Sequence, residues 1–215
     1  MFSAHCPEPS PRACAAGEME LPVAMLTTPQ PRILAFAGSA RRDSLNRKLL
    51  AIAVAATRAA GGDVTLVDLN ELSLPLYHGD EEEARGLPPA AVKLIELVNT
   101  HQGLLIASPE YNSFITPLLK NTVDWISRAE ENPFIGKVAA VVSASPGALG
   151  GVRSMMHARH LLLHLGCQVV PAQCMLPKAH EAFDAAGGLK DARALKSVDA
   201  VARQLVDLST RLGSA

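Results

Sequence analysis

The chain has 215 residues, 48% of them hydrophobic and 19% charged, with a formal net charge of −1. That length suits one well-packed domain and is short for two. The balanced charge, with no Lys/Arg block to track a phosphate backbone, argues against nucleic acid as a partner. No apolar run approaches the roughly 20 residues that cross a bilayer, and no basic start leads into a continuous apolar stretch, so a cytoplasmic protein without a membrane partner is expected.

Residues 1–31 are rich in Pro, Ala and Ser and lack either helical or strand periodicity, which predicts a disordered N-terminal extension ahead of a single domain over 32–215. At Arg32 the character changes. RILAFAGS predicts a strand, and SLNRKLLAIAVAATRAAGG a helix stopped by two glycines. VTLVDLN (64–70) predicts the second strand, and HGDEEEARG (78–86) reads as a solvated acidic loop. PPAAVKLIELVNTHQG (88–103) predicts a helix opened by prolines, and GLLIAS (103–108) the third strand.

A helix from about Thr116 to Arg128 follows, on which Asp124, Trp125 and Arg128 read as packing or subunit-contact residues, and then KVAAVVSAS (137–145) as the fourth strand. GGVRSMMHARHLLLHLGC predicts a helix, QVVP a short fifth strand, and GLKDARALKSVDAVARQLVDLSTRL a long amphipathic C-terminal helix. Strands that are continuous apolar runs and alternate with helices indicate a parallel sheet covered on both faces. The expected fold is α/β, a doubly wound five-stranded sheet in the order 2-1-3-4-5.

Cys6, Cys14, Cys167 and Cys174 form neither a CxxC pair nor a zinc-like Cys/His spacing. Cys167 reads as a small buried hydrophobe, and Cys174 is open. His157, His160 and His164 share one helix face, but the outer two lie about 10 Å apart along the axis. They are expected to be a packed or interface stripe and not a metal site.

In a doubly wound sheet, ligands bind outside the carboxyl ends of the strands, where strand order reverses. Three segments follow strands one, three and four, which are neighbours in that order: GSARRDSLN (38–46), SPEYNSFI (108–115) and SASPGALGG (143–151). The first has the chemistry of a phosphate cradle, with Ser39, Ser44 and Asn46 as neutral donors, Arg41 as a guanidinium, and the dipole of a helix start. The alternative is that Ser44 only caps the helix and that Arg41 and Arg42 are solvated. Neither GxGxxG nor GxxxxGK[ST] is present, so a terminal phosphate monoester is favoured over a dinucleotide or a P-loop nucleotide. Pro109 fixes a loop on which Glu110, Tyr111 and Asn112 can border a flat heterocycle, against the alternatives of a half-buried loop aromatic and an exposed charge. Gly147, Gly150 and Gly151 let backbone approach a ligand, or form only a flexible turn.

Together these segments resemble the NADPH-dependent FMN reductase family, within the flavodoxin-like superfamily of quinone, chromate and azo reductases. The resemblance runs from about Ile33 to the C-terminal helix. It implies FMN as cofactor, with Gly38, Ser39, Arg41, Ser44 and Asn46 at its phosphate. Pro109, Glu110, Tyr111 and Asn112 would meet the ribityl and isoalloxazine parts, and the Ser145–Gly151 loop would border the same ring. It further implies NADPH or NADH as donor, hydride transfer through the flavin to a small oxidant by a ping-pong sequence, and a homodimer or homotetramer. No catalytic protein residue is expected, because the cofactor carries the chemistry. The sequence departs from the family where many members carry Gly-Ser-Ile-Pro-Gly, having Ser113, Phe114, Ile115, Thr116 and Pro117 instead. The competing expectation is an FMN-binding electron carrier, although a charge of −1 gives it no acidic docking surface.

Overall fold

The fold is that of a computed structural model, in which residues 30–213 are described. The expected extension, with Cys6 and Cys14, lies outside the described residues apart from Gln30 and Pro31. Three strands form the centre: β1 (Arg32–Ala37), β3 (Gly103–Ala107) and β4 (Val138–Ala144). After the first residue of β1 all three are buried throughout, which is why they read as unbroken apolar runs. β2 (Asp63–Val67) lies outside β1, and only one of its residues is buried. Every pairing is parallel and the order is 2-1-3-4-5, the flavodoxin-like arrangement expected.

Side chains on a strand alternate between faces, and β1 divides accordingly. Ile33, Ala35 and Ala37 join one core cluster with α1 (Leu45–Ala59) and α6 (Ala192–Leu212). Leu34 and Phe36 join the other, with α3 (Pro89–Thr100), α4 (Pro117–Ile126) and α5 (Val152–His164). Ala37 pairs with Ala107, and Ala107 with Val142, so the chain leaves β1, β3 and β4 close to one level. That common exit height brings the three unusual loops together.

Two expectations need correction. The acidic stretch 78–86 is not a loop: Gly79–Arg85 is a helix, α2. Asp80, Glu81 and Glu82 occupy its first turn and Arg85 its last, which suits the helix dipole, and Arg85 pairs with Glu81. Tertiary bonds hold it down, since Glu82 accepts from Arg128 Nε at 2.9 Å and from Tyr77 Oη at 3.0 Å. The fifth strand is split into β5 (Gln168–Val169), beside Val138 and Ala139, and β6 (Cys174–Leu176), beside Val142 to Ala144. Pro171 stands in the gap and has no N–H to continue the ladder. Among the described residues, no helix is long and apolar enough to cross a membrane.

Candidate active site

The loop after β1 turns at Gly38, where space leaves room for nothing larger. A Cβ there would lie 2.8 Å from Leu119 Cβ and 3.0 Å from Thr116 Oγ1. Thr116 Oγ1 donates to Gly38 O at 2.6 Å and accepts from Leu119 N, so one hydroxyl caps α4 and fixes the turn. The sequence places the start of this helix at Thr116 but does not show the bond to Gly38, 78 positions away. Ser39 and Ser44 are both buried, and Ser44 Oγ accepts from Arg47 N as the cap of α1. The first turn of α1 carries no acidic side chain, so its positive end faces no competing carboxylate of its own. Arg41 and Arg42 are exposed, while Arg47 is turned away into an ion pair with Asp68 after β2. Asn46 behaves differently from a simple anion donor. Its Nδ2 donates to Ala144 O at 2.8 Å and its Oδ1 accepts from Ala144 N at 2.9 Å, joining α1 to the end of β4.

The loop after β3 is a small hairpin. Tyr111 and Phe114 exchange backbone hydrogen bonds of 3.1 and 3.0 Å around Asn112 and Ser113, whose φ angles of 50° and 65° are those of a tight primed turn. Asn112 therefore sits at the exposed tip. Glu110 points instead at α5, whose cap residue, Gly151, has no side chain to offer. Its Oε2 accepts from Arg153 N and Ser154 N, and its Oε1 pairs with the Arg153 guanidinium at 2.8 Å. Ser154, buried and missed by sequence reasoning, donates to Pro109 O at 2.7 Å and meets Ser108 Oγ at 2.6 Å. Nothing in the local sequence marks Ser154, because its partners lie 45 and 46 positions away.

The loop after β4 is braced by the end of β6 and the residues that follow it. Ser145 N donates to Leu176 O, and Lys178 N to Gly147 O. Gly150, at φ 61°, packs so closely that a Cβ would come within 2.9 Å of the Leu176–Pro177 backbone, and its carbonyl accepts from Ser143 Oγ. Gly150 thus serves chain packing.

Between the three loops lies a cleft of about 250 Å³. Of the expected site residues, Ser39, Arg41, Ser44, Asn46, Pro109, Glu110, Tyr111 and Ser145 line it, joined by Leu45, Ala144 and Pro146. Asn112, Gly147, Gly150 and Gly151 are not among its walls. The histidine stripe is exposed, because the buried face of α5 is Ser154, Met155, Ala158 and Leu162. His157 stacks on Phe114, with ring centroids 4.4 Å apart. Cys167 and Cys174 are both buried, and burial pushes their thiols up to about 12 and about 11. Trp125 is buried, donates Nε1–H to Pro75 O, and meets Tyr77 edge to face.

The model of the family described as NADPH-dependent FMN reductase matches residues 31–181. The chain belongs to that family. It is 37% identical over 164 residues to an NAD(P)H-dependent FMN reductase of Pseudomonas aeruginosa, covering 76% of this chain and 86% of that one. It is 30% identical over 140 residues to a quinone reductase of Escherichia coli, covering 65% and 73%. Among solved structures it superimposes on FerB, a flavoenzyme NAD(P)H:(acceptor) oxidoreductase of Paracoccus denitrificans, with a TM-score of 0.71 and 26% identity over 84% of this chain and 98% of that one. As a member of the NADPH-dependent FMN reductases the chain is an enzyme, with FMN as cofactor and NAD(P)H as electron donor.

Proposed function

We propose that residues 32–215 form one FMN-binding reductase domain that passes electrons from NAD(P)H to a small oxidant, with quinones first among the candidates and free flavin, azo dyes, chromate and ferric species behind them. The observation that carries this is the convergence of the loops after β1, β3 and β4 on one cleft at the switch point of the sheet.

The residues present fit FMN. Ser39 and Ser44 offer hydroxyls, Arg41 a guanidinium and α1 an N-terminus free of acidic side chains, a donor set suited to a phosphate dianion. Pro109, Tyr111, Ser145 and Pro146 supply a wall of mixed polarity for a flat ring. FMN held by these residues would supply the redox chemistry between NAD(P)H and the oxidant.

The chain's own residues hold and orient. Glu110 is engaged by three N–H groups of Arg153 and Ser154 besides a second guanidinium nitrogen, so it locks the loop after β3 onto α5 and is not poised to move a proton. Asn46 sets the spacing between the phosphate side and the loop after β4 through both of its bonds to Ala144. Tyr111 lines the cleft with its ring about half exposed to solvent. In our reading the protein works in the cytoplasm, which supplies NAD(P)H, as a homodimer or homotetramer.

The test is an absorbance spectrum of the purified protein followed by anaerobic titration with NADPH and then NADH. Bound flavin that bleaches on titration is the expected result. A colourless protein that neither quenches the fluorescence of added FMN nor consumes NAD(P)H sinks the proposal.

A further inference from the structure

Tyr111 and Phe114 form a hydrogen-bonded pair across a two-residue turn, so their side chains leave the hairpin on the same face. Tyr111 lines the cleft, and Phe114, outside the cleft's own walls, stands beside it on that face of the hairpin. Both rings are about half exposed, at 45% and 48%. Exposed aromatic surface of this kind on a loop with fixed register is a ready stacking face.

α5 holds this loop at two points one helical turn apart. Arg153 grips Glu110, and His157, four residues on, lies against Phe114 with its ring tilted by 49°. The brace keeps the Phe114 ring oriented before any ligand arrives.

We propose that Tyr111 and Phe114, with His157 as the positioning residue behind Phe114, form an aromatic shelf at the cleft mouth that selects flat aromatic acceptors over compact inorganic ones. This rests on the flavin-dependent reading of the same cleft. A naphthoquinone offers a face to the shelf, whereas ferricyanide, a charged octahedral ion, has none to stack. Stacking adds to simple area burial by an amount that corresponds to about fivefold in affinity.

The experiment compares kcat/KM for menadione with kcat/KM for ferricyanide in the wild-type holoenzyme and in F114A, F114L, F114W, H157A and H157F. FMN binding is measured in each by fluorescence quenching. F114A and F114L are expected to lower the quinone-to-ferricyanide ratio about fivefold, chiefly through the KM for menadione, and F114W to keep it within about twofold of wild type. H157A is expected to lower the ratio about threefold and H157F to preserve it, because the brace needs a ring and not a proton. A ratio in F114L within about twofold of wild type overturns the shelf, and an H157F enzyme as unselective as H157A overturns the brace. Absence of FMN binding by the wild-type protein defeats the flavin reading itself. Normal FMN binding with an unchanged ratio defeats the shelf alone.

Discussion

Glu110 caps a helix to which it does not belong: its carboxylate accepts from Arg153 N at 3.1 Å and pairs with the guanidinium of the same residue. α5 begins at a glycine that cannot cap itself, so the loop after β3 completes it. Replacing Glu110 by Ala is expected to cost about 1–2 kcal/mol, a lost cap plus a half-exposed ion pair, and E110Q about half as much because an acceptor oxygen remains. Urea unfolding curves of the two variants check this. Equal stability of E110A and wild type refutes the capping role.

Asn46 makes the more expensive connection. In N46A both the N–H and the C=O of Ala144 lose their partner in a buried setting, and a loss of about 3 kcal/mol is expected. N46D keeps an acceptor for Ala144 N but sets a carboxylate oxygen against Ala144 O, so it should rescue little. Thermal unfolding with and without added FMN measures the stability loss together with any weakening of cofactor binding.

Ser113 occupies a left-handed conformation that costs a side-chain-bearing residue about 1–2 kcal/mol, offset in part when glycine replaces it by the extra freedom of the unfolded chain. S113G is expected to gain about 0.5–1 kcal/mol and raise Tm by about 2 °C. G150A is the opposite case: it adds a Cβ within 2.9 Å of backbone at positive φ, and a loss above about 2 kcal/mol is expected. Calorimetry that ranks G150A at or above wild type rules out the packing described at that turn.

The strands at the centre could be read from the sequence because Leu104, Leu105 and Ile106, buried on both faces, leave no ambiguity about where they go. α2 could not, since it has no buried residue and owes its place to Glu82 meeting Arg128, 46 positions away. β6, three residues beyond a proline, is too short to announce itself. The location of the cleft followed from topology, but the roles within it did not. Asn46 carries the motif position of an anion donor and spends its amide on Ala144, 98 residues distant, and Glu110 looks like a solvent-facing charge until α5 is folded beside it. Such partnerships are set by tertiary proximity, to which local patterning is blind.

His101 gives the fold an acid-sensitive point. It is buried, its Nδ1 lies 2.6 Å from Leu97 O and its Nε2 2.8 Å from Thr65 Oγ1, and burial lowers its pKa below the ordinary 6.5. The unfolded chain then binds the proton more readily than the folded one, so this contribution is complete above pH 6.5 and declines as pH falls from there through the lowered folded value. H101Q is expected to flatten the stability profile as pH falls below about 6.5. An unchanged slope in denaturation midpoints below that pH contradicts the assignment.

Cys167 and Cys174, with thiols at about 12 and about 11, hold almost no thiolate at neutral pH. Peptide mapping after brief iodoacetamide treatment of the native protein should find both unmodified, and both alkylated once urea unfolds the chain. Rapid native labelling of either one refutes its burial.

The break at Pro171 bears on how copies of this chain can meet. The outermost strand position beside β4 offers runs of only two and three residues, and at the opposite margin the Arg58 guanidinium already occupies Val64 O at 2.9 Å. Neither margin presents the long, flat row of unsatisfied amides that recruits a stray strand into a growing ribbon. Self-association by sheet extension is thereby discouraged, and an assembly of this protein is left to build on its helices and loops.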